Sequence, residues 1–103
     1  AVPEMLAGRR DSYVLRVKGD SMIDEQIRDG DFVIVEDRKT ADSGEMVIAL
    51  VGGRDVTLKK LFREQGRIRL QPANDRYPPM ILGEQDVEIR GVVVGLLRTL
   101  IRH

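Results

Sequence analysis

The chain has 103 residues, of which 42% are hydrophobic and 33% are charged, as in one soluble globular domain with a single core. The charges of seventeen basic and seventeen acidic residues cancel to a net charge of zero. The sequence has no cluster of basic residues of the kind that binds nucleic acid. The sequence has no cysteine, and its single histidine, His103, ends the chain, so disulfides, Ser/His and Cys/His catalysis and a His- or Cys-bound metal are excluded. No apolar run could span a membrane; we expect a cytoplasmic protein without cofactor or metal.

Apolar and β-branched residues, separated by turn-forming residues, predict an almost all-β chain. An irregular lead-in ends near Arg10, Gly52-Gly53 and Glu64-Gln65-Gly66 predict two hairpin turns, and a bulge is expected at Gly91. The predicted strands are Tyr13–Val17, Phe32–Val35, Glu45–Val51, Asp55–Phe62, Arg67–Leu70, a short edge strand Met80–Leu82, and Val87–Leu97.

Ser21 lies just past the end of the first predicted strand, after the Gly19-Asp20 turn. Rigid backbone at such a position could hold a nucleophilic hydroxyl towards a cleft. A simpler interpretation is structural. The residues Ser-Met-Ile-Asp from position 21 match the capping pattern of a short helix, and most serines in that pattern only cap.

Lys59 lies inside a predicted strand, and its side chain and that of Lys60 must point to opposite faces. A solvated lysine is the ordinary interpretation. However, one of the two lysines is directed to the core side, where an ammonium is costly unless it becomes neutral or finds a partner. A neutral amine near Ser21 could accept its proton, and Ser/Lys is the nucleophile–base pair that this composition leaves. Spacing alone does not show that the two side chains meet.

Five stretches carry a family resemblance. They are LRVKGDSMID at 15–24, IRDGD at 27–31, VTLKKL at 56–61, LQPAN at 70–74 and IRGVVVG at 89–95. In this order and at this spacing they resemble the C-terminal domain of LexA-type repressors, over nearly the whole chain from Val2 onward. We therefore expect one domain, residues 1–103. It would be a compact, mostly β autopeptidase and dimerisation domain of strongly bent antiparallel sheets in a partly open barrel, with at most short helical turns.

The resemblance implies a self-cleaving serine peptidase. Ser21 would be the nucleophile, and Lys59, which fills the lysine position of the V-T-x-K motif, the general base. The backbone N–H of Ser21, with that of Asp20, would stabilise the oxyanion. The substrate would be an Ala-Gly bond upstream in the same chain. In the family, a RecA–single-stranded-DNA filament stimulates this cleavage, which separates a helix-turn-helix domain from the dimerising domain and relieves repression of DNA-damage (SOS) genes.

Two features depart from the full family pattern. No helix-turn-helix segment is present, so operator DNA would be bound only through an absent N-terminal domain. Ala7-Gly8 imitates the scissile bond, but the following strand spans about 20 Å on its way to Ser21. Residues 8–12 reach at most about 17 Å and could not return the bond to the nucleophile. We expect the true cleavage segment to have been removed from this chain.

Three alternatives remain open. A UmuD-type protein or a phage repressor would share Ser21 and Lys59. A bacterial signal peptidase also has a Ser-Met motif and a lysine base, but needs a membrane anchor and a lipid-facing surface. In a non-catalytic dimerisation module, Ser21 would cap a turn, Lys59 would be solvated, and 91–97 would be an exposed edge strand that pairs with a second copy. A homodimer is expected in either case.

Overall fold

The computed structural model describes residues 11–98, which form one antiparallel sheet of seven strands with short 3-10 turns at Ile23–Glu25 and Glu84–Asp86. The strands are β1 (Ser12–Arg16), β2 (Phe32–Glu36), β3 (Met46–Val51), β4 (Asp55–Glu64), β5 (Arg67–Gln71), β6 (Met80–Gly83) and β7 (Val87–Leu97). Their spatial order is β1-β2-β7-β3-β4-β5-β6, so the sheet is open, with β1 and β6 at its edges. The mostly β prediction is confirmed, as is the edge position of β6.

Both predicted hairpin turns are present. Residues 52–54 connect β3 to β4, and Gln65 and Gly66 connect β4 to β5; Gly52, Gly53, Gln65 and Gly66 all have positive φ. In the two-residue turn at 65–66, positive φ at both residues matches the right-handed twist of the two strands that the turn joins. The long strand β4 is thereby paired with β3 over 55–60 and with β5 over 60–64.

The prediction of an exposed edge at 91–97 is wrong, because β7 lies inside the sheet between β2 and β3. Its first half, 87–92, pairs with β3, and its second half, 92–97, pairs with β2. Register shifts leave Arg90 and Val94 as extra residues on β7, the first of them beside the predicted bulge at Gly91.

Apolar side chains form two clusters. The larger cluster lies mainly on β3, β4, β5 and β7, and the cleft cluster lies mainly on β1 and β2, with one residue each from β3, β4 and β7. The buried members of the larger cluster are Ala41, Val47, Ala49, Leu61, Ile68, Leu70, Ile89 and Val92. The cleft cluster has buried Val33, Val35 and Ile48, against which partly buried Tyr13, Leu15, Val17, Leu58 and Val93 pack.

The lead-in, the Ala7-Gly8 bond and His103 lie outside the described residues. That residues 1–103 form a single domain stays a prediction. Between positions 11 and 98, no helix is long and apolar enough to cross a membrane.

Candidate active site

The two side chains singled out in the sequence lie together. Lys59 Nζ is 3.1 Å from Ser21 Oγ, although 38 residues separate them in the chain. The 3-10 turn beside Ser21 has Met22 as its N-cap residue, without a side-chain capping hydrogen bond. The capping interpretation of Ser21 is therefore wrong. The serine hydroxyl contacts the amine of β4 instead.

Lys59 is brought to the core side of β4 by strand register. It lies opposite Val47, which is fully buried in the larger cluster, whereas Lys60 lies opposite Met46. Cross-strand partners share a face of the sheet. Of the two lysines, it is thus Lys59 that is directed inward, and burial lowers the pKa of its amine below the ordinary 10.5.

Each polar contact of Lys59 is with an oxygen atom of a neutral group. Nζ lies 2.6 Å from Thr57 Oγ1, 3.1 Å from the carbonyl oxygen of Leu58 and 3.1 Å from Ser21 Oγ. A neutral amine can donate its two N–H groups to the first two oxygens and accept the Ser21 O–H with its lone pair. Within residues 11–98, no carboxylate forms an ion pair with Lys59 that would favour the ammonium.

A cleft of about 250 Å³ opens beside this pair. One wall is 15–18, at the end of β1, and the other is 56–59 on β4, while Val33 and Ile48 of the cleft cluster lie between them. Arg16 and Lys18 line the first wall and are the charged residues opposite Lys59. The space is mostly apolar and open at one side, so a short extended peptide could enter it.

A buried carboxylate holds the loop that carries Ser21. Asp31 is 5% exposed and accepts hydrogen bonds from the Arg28 N–H (2.8 Å) and from the Arg98 guanidinium (2.8 and 3.0 Å). The hydrogen bonds from Arg98 and then from Arg28 lower the pKa of Asp31 to about 2. Arg98 also donates to the carbonyl oxygen of Gln26, so it ties the end of β7 to the loop. In the sequence, Asp31 stands out only as part of the IRDGD motif at 27–31.

The loop after β5 holds the other side of the Ser21 turn. The Ala73 N–H donates to the Ser21 carbonyl oxygen and the Asp24 N–H to that of Ala73, each at 2.7 Å. Asn74 Nδ2 donates to the Asp20 carbonyl oxygen at 2.8 Å. The stretch 70–74 is one of the family motifs in the sequence, but nothing in its pattern predicts that it lies against the serine.

An exposed ion pair completes the contacts of the turn. Lys60 Nζ lies 2.6 Å from Glu25 Oε1 in the 3-10 turn after Ser21. Both side chains are about one-third exposed, so solvent screens the interaction. Neighbouring lysines therefore occupy different environments: Lys59 contacts neutral groups at the cleft, and Lys60 pairs with a surface carboxylate.

This β domain, with a serine and a half-buried lysine in an apolar cleft, belongs to the Peptidase S24-like family, whose model matches residues 1–94. Its curated relatives include LexA repressors. That of Cereibacter sphaeroides (strain ATCC 17029 / ATH 2.4.9) is 48% identical over 95 residues, which cover 92% of this chain and 42% of the relative. That of Clostridioides difficile (strain 630) is 43% identical over 98 residues, 95% of this chain and 46% of the relative.

The LexA repressor of Erythrobacter litoralis (strain HTCC2594) is 45% identical over 97 residues, 94% of this chain and 42% of the relative. The chain therefore spans less than half the length of the relatives that it matches. The resemblance to the C-terminal domain of LexA-type repressors that the sequence predicted is confirmed.

Proposed function

We propose that this chain is the self-cleaving and dimerising domain of an SOS-type repressor, in which Ser21 attacks a peptide bond of the same protein and Lys59 is the base. The observation that carries the proposal is the 3.1 Å contact between Lys59 Nζ and Ser21 Oγ, at a lysine whose pKa burial lowers. An unperturbed lysine has a pKa near 10.4 and is almost entirely protonated at neutral pH. Burial without a carboxylate partner lowers the pKa of Lys59 and so increases the neutral fraction, which is the form that a base requires.

The reaction follows from these two groups. The Ser21 hydroxyl transfers its proton to Lys59 Nζ while Oγ bonds to the carbonyl carbon of the scissile peptide. As the tetrahedral intermediate collapses, its C–N bond breaks and the Lys59 ammonium gives the proton to the leaving amine. Water then hydrolyses the acyl-enzyme ester by the same two transfers. The backbone N–H of Ser21, with that of Asp20, would donate to the oxyanion.

The substrate and partners belong to the same proposal. The substrate is an Ala-Gly bond in a segment upstream of the domain, which enters the apolar cleft. A RecA–single-stranded-DNA filament is the activator, and operator DNA is bound through another domain of a longer protein. The domain forms a homodimer; the exposed apolar side chains of Val14 and Phe32, which lie on the same face of the neighbouring strands β1 and β2, support this part.

The test uses a version of the protein that includes the upstream cleavage segment of a LexA-type repressor. Incubated at about pH 9 to 10, where more of the lysine is neutral, the unmutated protein should give two fragments on a gel. Ser21→Ala and Lys59→Met should give none, and the matched control Lys60→Met should cut at the unmutated rate. Cutting by the Lys59→Met protein would remove the lysine from the mechanism.

A non-catalytic dimerisation module is the second candidate. Failure of the unmutated protein to cut at alkaline pH, even with activator, would favour it. A UmuD-type or phage-repressor relative would give the same cleavage result, so only the remainder of the longer protein separates those possibilities from the first proposal.

A further inference from the structure

The proposed chemistry does not account for one contact of the Ser21 turn, that of the Asn74 side chain. Asn74 Nδ2 donates to the Asp20 carbonyl oxygen at 2.8 Å, and its Oδ1 accepts a hydrogen bond from the Arg76 N–H at 2.9 Å. Both the nitrogen and the oxygen of the Asn74 amide therefore have hydrogen-bond partners, and these partners determine the orientation of the amide group. The side chain is half-buried and lies 54 residues from Asp20 in the chain.

In the Ser21 turn, the backbone carbonyl oxygens have hydrogen-bond partners, whereas two of the backbone N–H groups have none within residues 11–98. All three carbonyl oxygens of the turn accept hydrogen bonds. That of Asp20 accepts from the Asn74 side chain and the Ile23 N–H, and that of Ser21 accepts from the Ala73 N–H. That of Met22 accepts from the N–H groups of Glu25 and Ile27. The N–H groups of Ser21 and Met22 donate to no acceptor in the part of the chain from 11 to 98. Met22 is only 1% exposed, and Ser21 is half-buried. Buried backbone donors without partners are rare in proteins and require an explanation.

The geometry of a trans peptide links these observations. Its C=O and N–H point to opposite sides of the peptide plane, and the described chain contains no cis bond. Asn74 holds the carbonyl of the Asp20–Ser21 peptide towards the loop after β5. The N–H of Ser21 is consequently directed away from that loop and left free of protein acceptors.

We propose that Asn74 is a positioning residue, which fixes the Asp20–Ser21 peptide so that the Ser21 N–H is ready to donate to the oxyanion formed when Ser21 attacks. This inference rests on the proposed function. Asn74 touches neither the substrate nor the reacting atoms; it acts through the peptide that it holds. Donors that are already oriented stabilise developing charge without reorganising during the reaction.

The reaction of the 103-residue chain with a fluorophosphonate ester tests this role without a tethered substrate. Ser21 Oγ would form a bond to phosphorus, the P–F bond would break to release fluoride, and Lys59 would take the hydroxyl proton. The charge that develops on the phosphonyl oxygen lies where the peptide oxyanion would lie. The rate of labelling measured across pH gives a plateau and a midpoint, and the midpoint reports the base.

Asn74→Ala should lower the plateau about 100-fold, since a misplacement of about 1 Å in a reacting geometry can cost that much. Its midpoint should be unchanged, because every contact of Lys59 remains. In the labelled protein, the Ser21 amide proton should also shift downfield less in the variant than in the unmutated chain. The matched control is Tyr77→Phe, which removes the 2.7 Å hydrogen bond from the same loop to the Asp20 carboxylate and leaves the Asn74 contact.

Different failures separate the two proposals. Equal labelling of unmutated and Ser21→Ala protein would overturn the proposed function itself. Serine-dependent labelling that Asn74→Ala leaves within about two-fold would overturn only the role of Asn74, given the size of effect expected from one oxyanion donor. A shifted midpoint, or an equal loss in Tyr77→Phe, would also overturn it, because Asn74 would then act through Lys59 or through loop stability.

Discussion

The larger cluster and the cleft cluster meet on β3, β4 and β7 but differ in how completely they are packed. Eight buried side chains fill the larger cluster, whereas the cleft cluster has three, covered by side chains that are only partly buried. The incomplete packing leaves the cleft in which Ser21 and Lys59 meet. The stability of the sheet and the chemistry of the site therefore depend on different residues of the same strands, which substitutions can separate.

The largest expected effect is the loss of cleavage in Lys59→Met. Removing a general base costs about 100- to 10,000-fold, and the proposed mechanism has no second base to replace it. The substitution also removes a half-buried amine, so the melting temperature at neutral pH should not fall. Cleavage rates and thermal unfolding of the same sample check both statements. A large loss of stability would show that the lysine stabilises the fold, and it would contradict the separation of stability and chemistry between the two clusters.

Truncation of two leucines of β4 provides a direct comparison of how tightly the two clusters are packed. Leu61 is fully buried in the larger cluster, and Leu58, three residues earlier, lines the cleft. Leu61→Ala should destabilise the protein by about 3 kcal/mol, because truncation of a buried leucine leaves a cavity. Leu58→Ala should cost about 1 kcal/mol, since part of its surface already contacts solvent. Urea unfolding measures both, and equal losses would contradict the proposed difference in packing.

Asp31→Asn tests the clamp between the Ser21 loop and the end of β7. Loss of the charge-assisted hydrogen bonds from Arg28 and Arg98 should cost about 2 kcal/mol at neutral pH. Because folding lowers the pKa of Asp31 to about 2, its contribution is present above the unfolded value of 3.8 and is lost as pH falls through 2. Unfolding free energies measured from neutral pH downwards should therefore converge for the two proteins. A constant difference would exclude the carboxylate charge as the cause.

The smallest expected effect is that of Lys60→Ala. Its ion pair with Glu25 is exposed on both sides, so the change should cost less than about 0.5 kcal/mol. Chemical unfolding at low and high salt checks this, because any contribution of the pair should shrink as salt increases. A loss near that of Asp31→Asn would show that Lys60 holds the Ser21 turn in place.

Much of this could be predicted from the sequence, and the exceptions have physical causes. Alternation of apolar residues and the Gly52-Gly53 turn predicted the strands and hairpins, because these are local properties. The interior place of β7 depends on which strands flank it, and the apolar run 91–97 does not encode that. Strand alternation predicted that one of Lys59 and Lys60 points inward but not which one.

The site shows the same division between local and distant information. Ser21 and Lys59 were proposed as a pair from composition and family resemblance, whereas their contact depends on how the open sheet brings β4 to the turn after β1. Asp31 and Asn74 appeared only as parts of motifs. Their roles arise from partners 67 and 54 residues away, which a one-dimensional pattern does not reveal.

The central claim is that Lys59 is uncharged often enough to accept the proton of Ser21. An NMR titration of the Lys59 side chain, with its ε-carbon and ζ-nitrogen labelled, measures this directly. We expect a midpoint below 10.5, and a chemical-shift change at Lys59 when Ser21 is replaced by alanine, because the two groups are in contact. A midpoint at or above 10.5 that does not respond to Ser21→Ala would contradict the account.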